Sequence, residues 1–349
     1  MQTEEQQTKK FSIGSIFGKA IGISAKLWSV LAHALGTTVL FLVFIALLSS
    51  GSQTSSSVSA LSKKTLREGS EDVIAAVYLT GVVTEGESQP FGGDAVIAST
   101  NIIEILEGLK YEEEVKAVVL HINSPGGSAV ASDEIFAKVR ELREVKPVVA
   151  RLGDVAASGG YYIAAGADKI IANQATLTGS IGVITQIPNV SGLFDKIGVE
   201  IQTVKTGEFK DIGSSDRSLS DAERAIFQSA ITDAFDQFIQ AIVTGRSMPE
   251  ATVRELADGR FYSGKQAKAV GLVDELGTSD AAYELAASLA QIEEYSVVEY
   301  SQGGFFSSLL NARMQGGLYA LMSNFVAGQL HSVSGESGML YRAPDVLSN

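Results

Sequence analysis

The 349-residue chain contains no cysteine. That excludes a disulfide framework, a thiolate nucleophile and any cysteine-ligated metal. Histidine is nearly absent too, with His33, His121 and His331 the only three. The base that most often partners a serine nucleophile is therefore in short supply. Positive charge is in deficit: 27 Lys and Arg stand against 40 Asp and Glu, a net charge of −13. A phosphate backbone is bound by Lys/Arg patches, so nucleic acid is not an expected partner. The sequence carries no HExxH and no P-loop pattern. No metal or other cofactor is expected, and the chemistry falls to side chains and backbone.

What is present is a globular composition with one added hydrophobic element: 45% apolar and 19% charged residues, with 35 glycines. Residues 27–48 read LWSVLAHALGTTVLFLVFIALL, without a formal charge. As a helix they would span roughly 33 Å, enough to cross a bilayer core. Lys9, Lys10, Lys19 and Lys26 precede this run, and Lys63 and Lys64 follow only after a neutral Ser-rich stretch. The positive-inside rule places residues 1–26 in the cytoplasm and the bulk of the chain outside, as a single-pass protein of the cell membrane. A cleaved signal peptide is the alternative, but its apolar core is normally shorter. Residues 49–71 read as a flexible polar linker.

From residue 72 onward strand and helix patterns alternate. Strands are expected over 73–83, 115–122, 147–153, 169–173 and 200–206. Helices are expected over 95–109, 129–143, 158–167, 221–245, 249–257, 264–269 and 280–290. Ile102, Ile105, Leu106 and Leu109 follow the spacing of one helix face. Ser220 and Glu223 form a capping box ahead of the long helix. This order predicts βαβ units and an α/β fold with largely parallel pairing across residues 72–295. Residues 296–349 read as a tail that docks on the domain.

Three segments carry candidate chemistry. Asn123-Ser124-Pro125-Gly126-Gly127 follows a buried strand, and its glycines can aim backbone N–H groups at an oxyanion. A plain strand-to-helix turn has the same residues. Gly153 to Tyr162 has the layout of a nucleophile turn: a strand, small residues, Ser158, then a helix rich in Ala and Tyr. An N-cap serine over a glycine-lined packing surface fits it equally. Lys205 to Asp211 brings two lysines and a glycine to the end of an expected strand. A lysine acts as a base only if burial or neighbours lower its pKa, and most lysines are solvated at the surface. His121 sits in a buried strand, where a core role is the simpler reading.

These segments together resemble the signal peptide peptidase SppA family in its short, single-repeat form. The likeness runs over about residues 72–290. It rests on NSPGG at 123–127, AASGGYY at 156–162, TLTGSIGVI at 176–184, KTGEFKD at 205–211 and GRFYSGKQAKAVGLVDELG at 259–277. The resemblance implies a Clp protease/crotonase-like spiral of repeated βαβ units. It implies Ser158 as nucleophile, Lys210 as general base and Ser180 as the residue orienting that lysine. The N–H groups of Gly127 and Gly159 would form the oxyanion hole. It further implies a membrane-anchored serine endopeptidase acting on remnant signal peptides or other apolar peptides. Its protomers would assemble into an octamer-like ring, with Ser and Lys of one site drawn from neighbouring subunits. A self-trimmed tail, with apolar residues 309–325, could enter the groove. The alternatives are a catalytically silent membrane scaffold and, more remotely, a crotonase-like acyl-CoA enzyme.

Overall fold

The computed structural model describes residues 61–86, 96–301 and 340–342. Its core follows from strict alternation along central strands buried on both faces. In β2 (Val73–Thr80), Ala75, Val77 and Leu79 join one apolar cluster, and Ile74 and Ala76 join another on the opposite side. In β5 (Val115–Ser124), Val118, Leu120 and Ile122 face the first cluster, and Ala117 and Val119 the second. β7 (Val148–Ala157) and β8 (Lys169–Ala172) repeat the split. Side chains of a strand point to opposite faces with period two, so each strand serves two layers.

The larger cluster is closed by α1 (Ser99–Tyr111), α2 (Ala129–Arg143), the short α3 (Gly159–Ala164) and the C-terminal half of α5 (Asp221–Arg246). α8 (Ser279–Ala290) covers the other face through Ala282, Tyr283, Ala286 and Ala287. Each fully buried Val, Leu or Ile contributes about 1.5–3 kcal/mol relative to exposure.

The sheet order is β1-β12-β2-β5-β7-β8-β11, where β1 is Ser62–Arg67, β11 Glu275–Leu276 and β12 Ser296–Ser301. From β12 to β11 every pairing is parallel, and β1 alone is antiparallel, to β12. The mixed α/β class with parallel pairing agrees with the sequence reading. The boundaries do not. β1 lies inside the stretch read as a linker, and β12 lies beyond residue 295. The edge of β12 explains the early start, and Lys63 of β1 meets Glu112 at 2.8 Å and Glu114 at 2.7 Å on a polar strand that hydropathy does not mark.

β9 (Leu177–Gly179) continues parallel to the end of β7, and β10 (Phe261–Ser263) pairs antiparallel with β9. A second small sheet joins β4 (Val96–Ala98), β3 (Val82–Thr84), β6 (Gly126–Ser128) and β13 (Leu340–Arg342). α6 (Glu250–Leu256) and α7 (Gly264–Ala269) complete the domain, α7 beginning with a Ser263/Gln266 capping box.

One expected strand is missing. Residues 200–206 form no strand, and all are exposed. Their two apolar residues, Ile201 and Val204, stand three apart and would fall on opposite faces of a strand, so the segment has no single apolar face to bury. They belong to a long stretch, 182–237, in which only Glu223 is buried. That stretch includes α4 (Ser191–Ile197), which buries no residue. It also exposes Ile184, Leu193, Ile197, Val199, Ile201, Val204, Phe209 and Ile226. Among the described residues no helix is long and apolar enough to cross a membrane. The run 27–48 expected to do so lies outside the described residues.

Candidate active site

The site grows from the C-terminal ends of β5 and β7. At the end of β5, the Ser124 hydroxyl accepts the Gly126 N–H at 3.1 Å. The turn then runs through Gly126 (φ 100°) and Gly127 (φ 156°) into β6. A Cβ on Gly127 would lie 2.1 Å from the Val83 carbonyl oxygen of β3, so only glycine fits there.

At the end of β7, Ala157 pairs with Gly179 of β9, and the Ser158 N–H donates to the Gly179 carbonyl at 2.8 Å. Two threonines bind the strands side by side: Thr176 Oγ1 donates to Gly153 O at 2.7 Å and Thr178 Oγ1 to Ala156 O at 2.6 Å. Both strands then leave the ladder through a serine with positive φ, Ser158 at 54° and Ser180 at 49°. Ser180 is held by donation of its N–H to the Arg260 carbonyl at 2.8 Å. Non-glycine residues with positive φ are strained, and such strain gathers at functional sites.

Ser158 (ψ −120°) is fully buried, and its Oγ has no hydrogen-bond partner among the described residues. An orphaned buried hydroxyl costs about 1–3 kcal/mol. A core serine would have been satisfied; this one is kept free. Gly159 follows directly. A Cβ there would meet Ser132 Oγ at 2.4 Å and the Gly127 backbone nitrogen at 3.3 Å. The Gly127 and Gly159 backbones therefore abut beside the free hydroxyl, where two N–H groups can serve one oxyanion.

The chain thus brings Ser158, Gly159, Gly127 and Ser180 together. It does not bring Lys210 to them. Lys210 is exposed in the 182–237 stretch, and among the described residues its ammonium makes no hydrogen bond or ion pair. His121 is no substitute base. Its side chain lies on the α8 face of the sheet, with Nε2 2.8 Å from the Tyr283 hydroxyl and the ring stacked on Tyr78. Burial, then the Arg151 charge, pulls its pKa down to about 4. His33 and His331 lie outside the described residues. Among the described residues no group of three or more His, Asp or Glu could hold a metal ion.

Sequence reasoning missed the residues that hold the site in shape. Ser124 and Ser132 pack against Gly160 and Gly159, and Tyr162 ties three site-bearing elements together. The Tyr162 hydroxyl donates to Asp133 of α2 at 2.7 Å, and its ring stacks on Phe238 of α5. The paired tyrosines after Gly160 were a visible signal of that packing.

A buried, strained serine beside two abutting glycine backbones is chemically suited to acyl transfer, and the comparisons place the chain among proteases. Residues 140–293 match peptidase family S49. The chain is 45% identical over 222 residues to a Synechocystis protein named as a protease, covering 63% of this chain and 75% of the other. It is 38% identical over 259 residues to an Enterococcus faecium protein named as a signal peptide peptidase SppA, covering 73% and 75%. It is 34% identical over 267 residues to a Methanocaldococcus jannaschii protein named as a protease, covering 75% and 85%. The chain belongs to the SppA family of S49 peptidases, in its short single-domain form.

Proposed function

We propose that the protein is a membrane-anchored serine endopeptidase with a Ser158–Lys210 dyad, assembled so that Lys210 of one copy meets Ser158 of the next. The observation that carries this is the combination of a buried Ser158 hydroxyl and an exposed Lys210 ammonium, neither of which has a partner among the described residues. The exposed apolar residues of 182–237 supply the surface that a second copy would cover. On this reading the domain is one unit of a Clp protease/crotonase-like spiral, and the ring is octamer-like. The run 27–48 anchors it with the catalytic domain outside the cell membrane.

In the reaction, neutral Lys210 takes the Ser158 proton as Oγ attacks the scissile carbonyl. Ser180 orients the amine. The Gly127 and Gly159 N–H groups hold the oxyanion. Lys210 then protonates the leaving amine and activates the water that hydrolyses the acyl-enzyme. The proposed substrates are remnant signal peptides and similar apolar peptides. A fluorophosphonate probe should label the wild type and not Ser158→Ala. A wild type that resists the probe would leave the silent scaffold as the better account.

On this reading a peptide lies along the small sheet. Leu340–Arg342 pairs antiparallel with Gly126–Ser128, with Tyr341 opposite Gly127. An extended substrate added to the same edge would carry its carbonyl past the Gly127 N–H. The chain's own residues 340–342 then compete with substrate. Ending the chain after residue 339 is expected to lower KM for an apolar fluorogenic peptide several-fold, with kcat little changed. An unaltered KM would remove this segment from the groove. The apolar residues 309–325, expected to play that part, lie outside the described residues.

A further inference from the structure

We infer that Arg217 is a positioning residue for the Lys210 amine: with Asp211 and Glu223 it forms a strut joining the Lys210 loop to the start of α5. The inference rests on the reading of Lys210 as general base. A base must be held within a fraction of an ångström of its productive place. Yet residues 195–210 are all exposed, and the chain around Lys210 contains only turns: Lys210 N–H to Gly207 O at 3.2 Å, Ile212 N–H to Phe209 O at 3.1 Å, Ser214 N–H to Asp211 O at 3.1 Å. Something other than packing must fix it.

Arg217 does so with a two-sided grip. On one side its Nη1 and Nη2 donate to the two Glu223 carboxylate oxygens at 2.8 and 2.5 Å. Glu223 is buried, and it accepts the Ser220 N–H at 2.8 Å while Ser220 Oγ accepts the Glu223 N–H, which locks it into the first turn of α5. On the other side Arg217 Nε donates to Asp211 Oδ2 at 3.2 Å, and Nη2 to the Asp211 carbonyl at 3.3 Å. Asp211 is covalently next to Lys210. Lys205 closes the loop from its far end, with Nζ on Asp211 Oδ1 at 2.6 Å and on the Glu208 carbonyl at 2.7 Å.

Exposed ion pairs usually add little. This set differs because it is forked, linked and rooted on a buried carboxylate. Arg217 and the Ser220 N–H hold the Glu223 carboxyl down at about 2, and Lys205, then Arg217, hold Asp211 below the usual carboxylate range. Both acids therefore stay charged wherever a lysine base could work. The arrangement has a second effect. An adjacent carboxylate would otherwise pair with Lys210 and favour its protonated form. Lys205 and Arg217 take up the Asp211 oxygens and leave the Lys210 amine unclaimed.

The test is steady-state hydrolysis of an apolar fluorogenic peptide by full-length Arg217→Gln and Asp211→Asn, followed from neutral to alkaline pH. The second variant keeps the Arg217–Glu223 fork and so guards against a simple loss of folding. In both, kcat should fall about 10- to 100-fold, as expected for a misplaced catalytic group. KM and oligomeric state should stay near wild type in both. Arg217→Gln strands the buried Glu223 carboxylate and should lower the unfolding midpoint, whereas Asp211→Asn keeps the fork and should keep the midpoint. The acidic limb of the kcat profile should move to higher pH in Arg217→Gln, which frees the Asp211 carboxylate to pair with Lys210, and not in Asp211→Asn, which has no carboxylate there. A merely structural role would lower the Asp211→Asn midpoint together with its kcat and leave the Arg217→Gln limb in place, which overturns the inference. So would wild-type kcat in both variants while Lys210→Ala is inactive. An active Lys210→Ala would instead sink the underlying reading of the base.

Discussion

Mixing two inactive proteins, Ser158→Ala and Lys210→Ala, should restore about a quarter of wild-type activity once their subunits exchange. Each should be inactive alone, because one lacks the proposed nucleophile and the other the proposed base. If each site draws Ser158 from one copy and Lys210 from its neighbour, random assembly makes roughly one site in four intact. If both residues of a site came from one chain, every site in the mixture would lack one of them and activity would stay at background. The structure motivates this design. The Ser158 hydroxyl is orphaned inside the domain, and Lys210 lies on a stretch where only Glu223 is buried. Val204, fully exposed six residues before Lys210, marks a surface with no cover in one chain. Lys210→Arg should be as inactive as Lys210→Ala, since guanidinium cannot accept a proton near neutral pH.

Much of this architecture was open to inspection in the sequence because its causes are local. β2, β5 and β7 announce themselves as short apolar runs, and Ser220 and Glu223 mark the start of α5 by spacing alone. Ser158, Gly159 and Gly127 stand in motifs whose small residues are required by contacts now visible, such as Val83 against Gly127. The parts that escaped depend on distant partners. β1 is polar and is a strand only because β12, more than 200 residues away, offers an edge. Residues 200–206 stay exposed and form no strand, because Ile201 and Val204 would fall on opposite faces. The pairing of 340–342 with β6 joins the tail to a turn near the middle of the chain. Arg217 looks like any surface arginine until its fork on Glu223 is seen.

Replacing Gly159 by alanine should cost roughly 10²- to 10³-fold in kcat, the usual loss for one oxyanion donor. The physical cause is crowding. The new Cβ would meet Ser132 Oγ at 2.4 Å, and Gly126 Cα and the Gly127 nitrogen at 3.3 Å each. The first contact bears on stability, because Ser132 is buried and donates to the Ser128 carbonyl at 2.7 Å. The other two bear on catalysis, because they press on the backbone that would hold the oxyanion. Adding Ser132→Ala separates the effects. The double variant should recover most of the unfolding midpoint lost by Gly159→Ala but little of its kcat. Gly127→Ala should behave differently again. Its Cβ would sit 2.1 Å from the Val83 oxygen and 2.7 Å from the Val83 nitrogen, at a φ of 156°. β3 and β6 could no longer pair, so the unfolding midpoint and activity should fall together, with no rescue from Ser132→Ala. Thermal unfolding and kcat measured on wild type and these four variants decide the matter. Wild-type kcat in Gly159→Ala would mean that this backbone never touches the reacting carbonyl.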